Sequence, residues 1–202
     1  MSSSPHLPMS PSPHLPISSS PHRKWWWAGA VVGLIVLVAV WSRPWNTDGV
    51  AMDLVSDLPQ AIEQRPEPGA FSVANAIQNG VWKKAIYVAQ PSRLVYRLED
   101  VPREAWLRVN MGIKEAAWAR ENHGVLFVVS VKPAGKPLRE MTSIVVNPFS
   151  NQADRQWQQV QIDLNPWADQ ALDVYLETRL PHEGADRQNH LALWGAPAIV
   201  TK

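Results

Sequence analysis

The sequence contains no cysteine, and it has only three tyrosines and three phenylalanines. The lack of cysteine excludes disulfide bonds, iron–sulfur clusters and zinc sites built from thiolates. The fold must therefore be held by its hydrophobic core. Tryptophan is abundant instead, with eleven residues against six other aromatic residues. The positions of the tryptophans consequently carry much of the information about location and function.

Charge is absent from a long run near the N-terminus. No acidic residue precedes Asp48, and the run from Trp25 to Trp41 has neither charge nor proline. Seventeen helical residues reach roughly 26 Å, close to a hydrocarbon core of about 30 Å. The sequence predicts a transmembrane helix over residues 25–42. Indole side chains favour the headgroup level, so the flanking tryptophans are predicted to lie at the membrane interface: Trp25, Trp26, Trp27, Trp41 and Trp45.

Basic residues flank this run unequally. Arg23 and Lys24 precede it, and only Arg43 follows directly. The excess of positive charge before the span predicts a single-pass signal-anchor in the cell membrane, with a cytoplasmic N-terminus and an extracytoplasmic C-terminal domain. A cleaved signal peptide is the alternative. The bulky Trp41 and the following Arg43-Pro44 argue against it, because they replace the small residues of a cleavage site.

The segments around the span are rich in proline. Residues 1–24 repeat the pattern Ser-Pro-His-Leu-Pro, which predicts a disordered cytoplasmic tail rich in proline, serine and histidine. Its histidines could form a metal-binding tract, but eight extended residues separate successive histidines by roughly 25 Å. Residues 43–69 are predicted to be a tether, in which a short helix at Met52–Glu63 would be limited by Pro59.

Residues 70–202 alternate apolar and polar side chains with a period of two. The clearest example is the run from Ala105 to Ile113, in which every second residue is apolar. Similar runs surround Leu94–Leu98, Val160–Leu164 and Leu172–Leu176, while Val125–Val131 is continuously apolar. Seven or eight such strands without a long helical pattern predict an all-β domain, an antiparallel β-sandwich.

Several segments carry a resemblance to a known family. They are Ala105-Trp106-Leu107-Arg108-Val109, Ile162-Asp163-Leu164, Leu176-Glu177-Thr178 and the closing Ala192-Leu193-Trp194-Gly195-Ala196-Pro197-Ala198-Ile199. With them, residues 91–199 resemble a jelly-roll module of the galactose-binding-domain-like superfamily, of the type attached to proteins of the bacterial cell envelope. The resemblance implies a β-sandwich that binds glycans or is purely structural. It implies no cofactor other than a structural calcium ion.

The same region gives little support for catalysis. It lacks the nucleophile elbow, the phosphate-binding loop and the dinucleotide fingerprint. His182-Glu183 begins like a zinc-protease motif, but His190 follows eight positions later, so the two imidazoles cannot share one helical face. We therefore predict no catalytic residue and no metal site. Residues 46–202 carry sixteen basic and eighteen acidic residues, a net charge of −2, which predicts no nucleic-acid partner.

Exposed tryptophans are the candidate ligand-binding residues, because an indole face can stack on the C–H groups of a sugar. Trp106 and Trp157 are predicted on the strand face opposite the core, and Trp118 in a loop. Burial within the sandwich is the alternative for each of them. Trp167 and Trp194 are predicted to belong to the core.

Two functions remain open. The first is a non-enzymatic, membrane-anchored module that binds a glycan or envelope polymer. The second is an accessory subunit of a larger membrane protein complex, with no small-molecule ligand. Gly29 and Gly33 have the spacing of helix–helix contacts in membranes and favour the second. The predicted partners are therefore membrane lipid, together with a glycan or other membrane proteins.

Overall fold

The computed structural model describes residues 49–183 and 192–202. The predicted tail, the transmembrane span and the five interface tryptophans lie outside these residues. Within the described ranges, no helix is both long enough and apolar enough to cross a membrane. The chain divides by its internal contacts at Asn46, and the described residues all belong to the unit that begins at Thr47.

The described residues form eleven β-strands joined by turns and single turns of 3-10 helix. The strands are β1 (Gly49–Asp53), β2 (Glu63–Arg65), β3 (Phe71–Gln78), β4 (Val81–Val88), β5 (Ser92–Leu98), β6 (Ala105–Ile113), β7 (Val125–Pro133), β8 (Arg139–Val146), β9 (Gln158–Asp163), β10 (Leu172–Arg179) and β11 (Ala192–Thr201). The 3-10 turns are Leu58–Gln60, Pro68–Ala70, Glu115–Ala117, Gln152–Asp154 and Asn165–Trp167. The prediction of an all-β domain is confirmed.

These strands pair into two antiparallel sheets. Sheet one has the order β3-β4-β11-β6-β9, and sheet two has the order β2-β5-β10-β7-β8. Strand β11 pairs with β6 on one side. On its other side, β4 pairs with the first half of β11 and β1 pairs with the second half. The irregularity between Gly195 and Ala198 separates the two halves.

The core lies between the two sheets. Every second residue of β6, from Ala105 to Ile113, is fully buried there, as the alternation predicts. Trp194 of sheet one is also fully buried, and its ring meets Phe127 of sheet two edge to face at 5.0 Å. Trp167 packs against the core from outside and is half-buried. Tryptophan in this fold therefore bridges the sheets as well as covering their margins.

The predicted tether is wrong for residues 49–69. This segment adds β1 to sheet one and β2 to sheet two, and the predicted helix at Met52–Glu63 is replaced by these strands and one 3-10 turn. Leu54 and Val55 are buried in the core between them. The hydroxyl group of Tyr96 donates a hydrogen bond to the Leu54 carbonyl at 2.8 Å. Burial of two apolar side chains thus outweighs the proline-rich composition that indicated a tether.

Candidate functional site: an aromatic groove on sheet one

A tight hairpin connects β3 and β4. Asn79 and Gly80 occupy its turn with φ angles of 47° and 79°. Two successive positive φ angles match the type I′ turn, for which Asn-Gly is the preferred pair. Beyond this turn, β4 pairs with β11 only from Ala85 to Val88. The tip of the hairpin, residues 76–84, therefore extends past the part of β4 that belongs to the central sheet.

The hairpin tip lies over the outer face of sheet one, near the end of β6. The Gln78 side-chain amide donates a hydrogen bond to the Ile113 carbonyl at 3.1 Å. The backbone N–H of Asn79 donates to the Glu115 carboxylate at 3.2 Å. Gln78 is fully buried by this arrangement. The tip is consequently fixed at both its backbone and its side chains.

Trp157 fills the space between the hairpin tip and the sheet. Its indole N–H donates to the Val81 carbonyl at 2.9 Å. The ring lies directly on the backbone of Gly195, where a Cβ atom would approach a ring carbon to 2.5 Å, and Gly112 is the next glycine beside it. Only glycine allows the ring this approach. The ring completes a small apolar cluster outside the main core: Ala76, Ala85, Leu193, Tyr87 and Trp157.

A groove of about 220 Å³ runs beside the hairpin tip. One wall comes from β3 and β4, and the other comes from the turn that follows β6. Its lining combines aromatic, charged and amide groups: Asn75, Ile77, Trp82, Tyr87, Lys114 and Glu115. A cation and a carboxylate thus line a largely apolar cleft.

Two aromatic side chains, Trp82 and Tyr87, line the groove. Trp82 is 66% exposed, the most exposed large apolar side chain among the described residues. Tyr87 is half-buried, and its hydroxyl group donates to the Asn75 carbonyl at 3.0 Å. Burial raises the pKa of the Tyr87 hydroxyl above its ordinary value. The groove lining therefore includes an open indole and a phenol ring held by a hydrogen bond.

None of the three predicted tryptophans is among the residues that line the groove. Trp106 is half-buried on the outer face of sheet one, with Lys202 Nζ 4.7 Å from the centre of its ring. It precedes Gly112 on β6 by six residues, which is roughly 20 Å at the rise of an extended strand. Trp118 follows β6, and its indole N–H donates to the Ile113 carbonyl at 2.8 Å. Trp157 packs against Ala76, Leu193 and Tyr87, which also line the groove.

The groove residues Trp82 and Tyr87 were missed by the sequence analysis. The Asn79-Gly80 pair was the available signal, because Asn-Gly between apolar residues indicates a two-residue hairpin. That signal would have placed Trp82 close to an exposed turn. It could not have shown the second wall, because Lys114 and Glu115 are more than thirty positions further along the chain.

Metal-ligating side chains do not cluster in the described part of the chain. No three residues among histidine, aspartate and glutamate lie close enough there to hold an ion. His123 and His182 meet edge to face, with ring centres 4.7 Å apart. His190 lies outside the described residues. The functional features that the structure does describe are thus the aromatic groove and the charged groups on the sheets.

We compared the chain with known protein families and proteins. No family model matches the chain. An uncharacterized protein of Archaeoglobus fulgidus is 26% identical over 133 residues, which are 65% of this chain and 33% of that protein. The chain thus spans about a third of the length of this relative.

Solved structures of carbohydrate-binding modules resemble the described domain. A Clostridium perfringens ZmpB chain with the M60 catalytic domain and the domains CBM51-1 and CBM51-2 matches with a TM-score of 0.51 and 17% identity, over 76% of this chain and 15% of that one. The CBM51 from Clostridium perfringens GH95, in complex with methyl-galactose, matches with a TM-score of 0.48 and 14% identity, over 77% of this chain and all of that one. At 17% identity the first of these two likenesses concerns the fold alone, and it agrees with the sandwich predicted from the sequence.

Proposed function

We propose that the described domain is a non-enzymatic module that binds a glycan in the aromatic groove. The observation that carries the proposal is the exposed indole of Trp82, which lines the groove together with Tyr87 and the polar residues Asn75, Lys114 and Glu115. The indole face stacks on the C–H groups of a sugar ring. The carboxylate, ammonium and amide groups bond its hydroxyls. The fold shared with carbohydrate-binding modules supports a binding domain but does not specify the sugar.

The size of the groove favours a short ligand. At about 220 Å³ it is smaller than the roughly 300–1,000 Å³ of pockets for drug-sized ligands. One or two sugar rings at the end of a glycan chain suit this volume. An extended polymer would need further contacts along the hairpin. We therefore propose recognition of a terminal sugar.

We also propose that residues 25–42 anchor the protein in the cell membrane, with the domain outside. The uncharged run and its flanking tryptophans support this arrangement. Protease added to intact cells should remove the C-terminal domain and spare the N-terminal tail. Release of the whole chain by alkaline carbonate would contradict the anchor, and a mature chain beginning near Arg43 would favour the cleaved signal.

Glycan binding is tested with the purified full chain on a glycan array. A detergent without a sugar headgroup is needed, because a glucoside could compete for the groove. We expect binding that Trp82→Ala weakens strongly and Trp106→Ala preserves. Trp106 is the matched control, since it is a half-buried tryptophan on the same face but away from the groove. Equal loss in both variants would refute the groove as the site. A silent array with stoichiometric co-purified proteins would instead favour the accessory-subunit function.

A further inference from the structure

A second pocket lies on the opposite side of the sandwich, on the outer face of sheet two. Its volume is about 350 Å³, and it opens between the ends of β2, β5 and β10. Three arginines line it, one from each of these strands: Arg65, Arg93 and Arg179. The pocket is therefore rich in guanidinium groups that come from three separate strands.

Two glutamates hold these arginines in place. Arg93 Nε donates to one oxygen of Glu177 at 2.6 Å, and Arg179 donates to the other. Glu177 itself is only 3% exposed, so its carboxylate lies below the guanidinium groups that it binds. Glu63 lies 2.6 Å from Arg65 Nε and 3.6 Å from Arg93. A buried carboxylate that orients two guanidiniums is a rigid support, unlike an ordinary surface ion pair.

After these ion pairs, the cluster still has positive charge and N–H donors that can bind another group. Three arginines against two glutamates leave one excess positive charge. The ion pair of Arg65 with Glu63 is made through Nε, and that of Arg179 with Glu177 through Nη2. Each guanidinium carries five N–H donors in a planar fork. Their side chains are 68% and 46% exposed, so these remaining donors are accessible.

We propose that this three-arginine pocket binds an oxyanion, the carboxylate or sulfate group of an acidic polysaccharide. A guanidinium fork suits such groups because it can form two parallel hydrogen bonds to them. Nucleic acid and anionic membranes are disfavoured as partners, because residues 46–202 have a net charge of −2 and binding a charged backbone requires an extended basic surface. The pocket is separate from the aromatic groove, and the proposal does not depend on that groove.

Sulfate is the first probe. The melting temperature of the full chain is measured in sodium sulfate and in sodium chloride at equal ionic strength. We expect sulfate to raise the melting temperature by about 3 °C more than chloride does. A shift of this size corresponds to a sulfate concentration about tenfold above its dissociation constant. Arg65→Gln and the double variant with Arg179→Gln should lose this difference. Arg103→Gln should keep it, because Arg103 pairs with Asp169 outside the pocket.

Polymers then identify the source of the anion. Heparin supplies sulfate, polygalacturonate supplies carboxylate, and dextran is the neutral control. We expect binding of at least one acidic polymer, weakened about tenfold by Arg65→Gln because a hydrogen bond to a charged group is lost. Arg103→Gln should leave this binding unchanged. The sulfate response needs no sugar ring, so it separates failure of this proposal from failure of the groove. An equal sulfate response in all variants would overturn the proposal. Binding only to phosphatidylserine vesicles would also overturn it.

Discussion

The two outer faces of the sandwich differ in the size and charge of their side chains. On sheet one, the small residues Ala85, Gly112 and Gly195 let Trp157 and the hairpin tip lie close to the strands. On sheet two, long charged side chains pair across neighbouring strands, with Arg93 opposite Glu177. Small residues thus make room for a third layer and an aromatic groove. Long charged residues cover their own sheet and leave a polar surface.

The difference also separates two kinds of recognition. The groove on sheet one offers stacking area from Trp82, where the main gain comes from apolar contact. The pocket on sheet two offers fixed positive charge over the buried Glu177. Both faces depend on the same core between the sheets. Variants can therefore be chosen to damage both faces, one face or neither.

The largest effect is expected from Trp194→Ala, which removes the ring that joins the two sheets. Its side chain is fully buried against Phe127. Truncating a buried tryptophan costs about 3–5 kcal/mol. The midpoint of urea unfolding should fall accordingly, and both binding activities should weaken together. Trp194→Phe should lose markedly less free energy of unfolding than Trp194→Ala. A loss below about 1 kcal/mol in Trp194→Ala would contradict the role of this ring in the core.

A smaller and more local effect is expected from Gly195→Ala. The new methyl group would lie 2.5 Å from the Trp157 ring, so the ring and the hairpin tip must move. Such overpacking costs about 1–3 kcal/mol. Sugar binding should be lost while the sulfate response persists. Gly69→Ala is the matched control, because a Cβ atom there meets nothing within 4 Å. Unchanged sugar binding in Gly195→Ala would show that Trp157 does not position the groove.

The smallest effect is expected from Tyr96→Phe, which leaves both faces intact. The change removes the hydrogen bond to the Leu54 carbonyl and costs about 1 kcal/mol at neutral pH. Burial raises the pKa of Tyr96 above the ordinary value of 10.0. Above pH 10 the unfolded chain therefore releases a proton that the folded chain retains, and the free energy of unfolding falls as pH rises.

Tyr96→Phe should accordingly flatten the alkaline part of the stability curve. The measurement is urea unfolding at several values between pH 8 and pH 11. Some slope will remain, because burial also raises the pKa of Tyr87 and Tyr175. Parallel curves for the native chain and the variant would show that Tyr96 ionises as readily in the folded state as in the unfolded state.

The sequence predicted local features of this fold better than distant contacts. The alternation in β6 correctly identified its core face, because a strand side chain is buried or exposed according to its parity. The same rule fails at Trp82. It shares a strand face with the buried Ile86, yet it lies on the hairpin tip beyond the pairing with β11 and is exposed. Where a strand leaves its sheet depends on contacts such as Trp157 with Val81, which are 76 positions apart.

The central claim is that a sugar stacks on Trp82. Isothermal titration of the full chain with the best sugar from the array tests it directly, by comparing the dissociation constants of the native chain, Trp82→Ala and Trp106→Ala. Loss of a tryptophan that dominates a binding site costs about 2 kcal/mol or more, so we expect Trp82→Ala to weaken binding about thirtyfold. Trp106→Ala should bind like the native chain. A dissociation constant for Trp82→Ala within about twofold of the native value, less than 0.5 kcal/mol, would contradict the account.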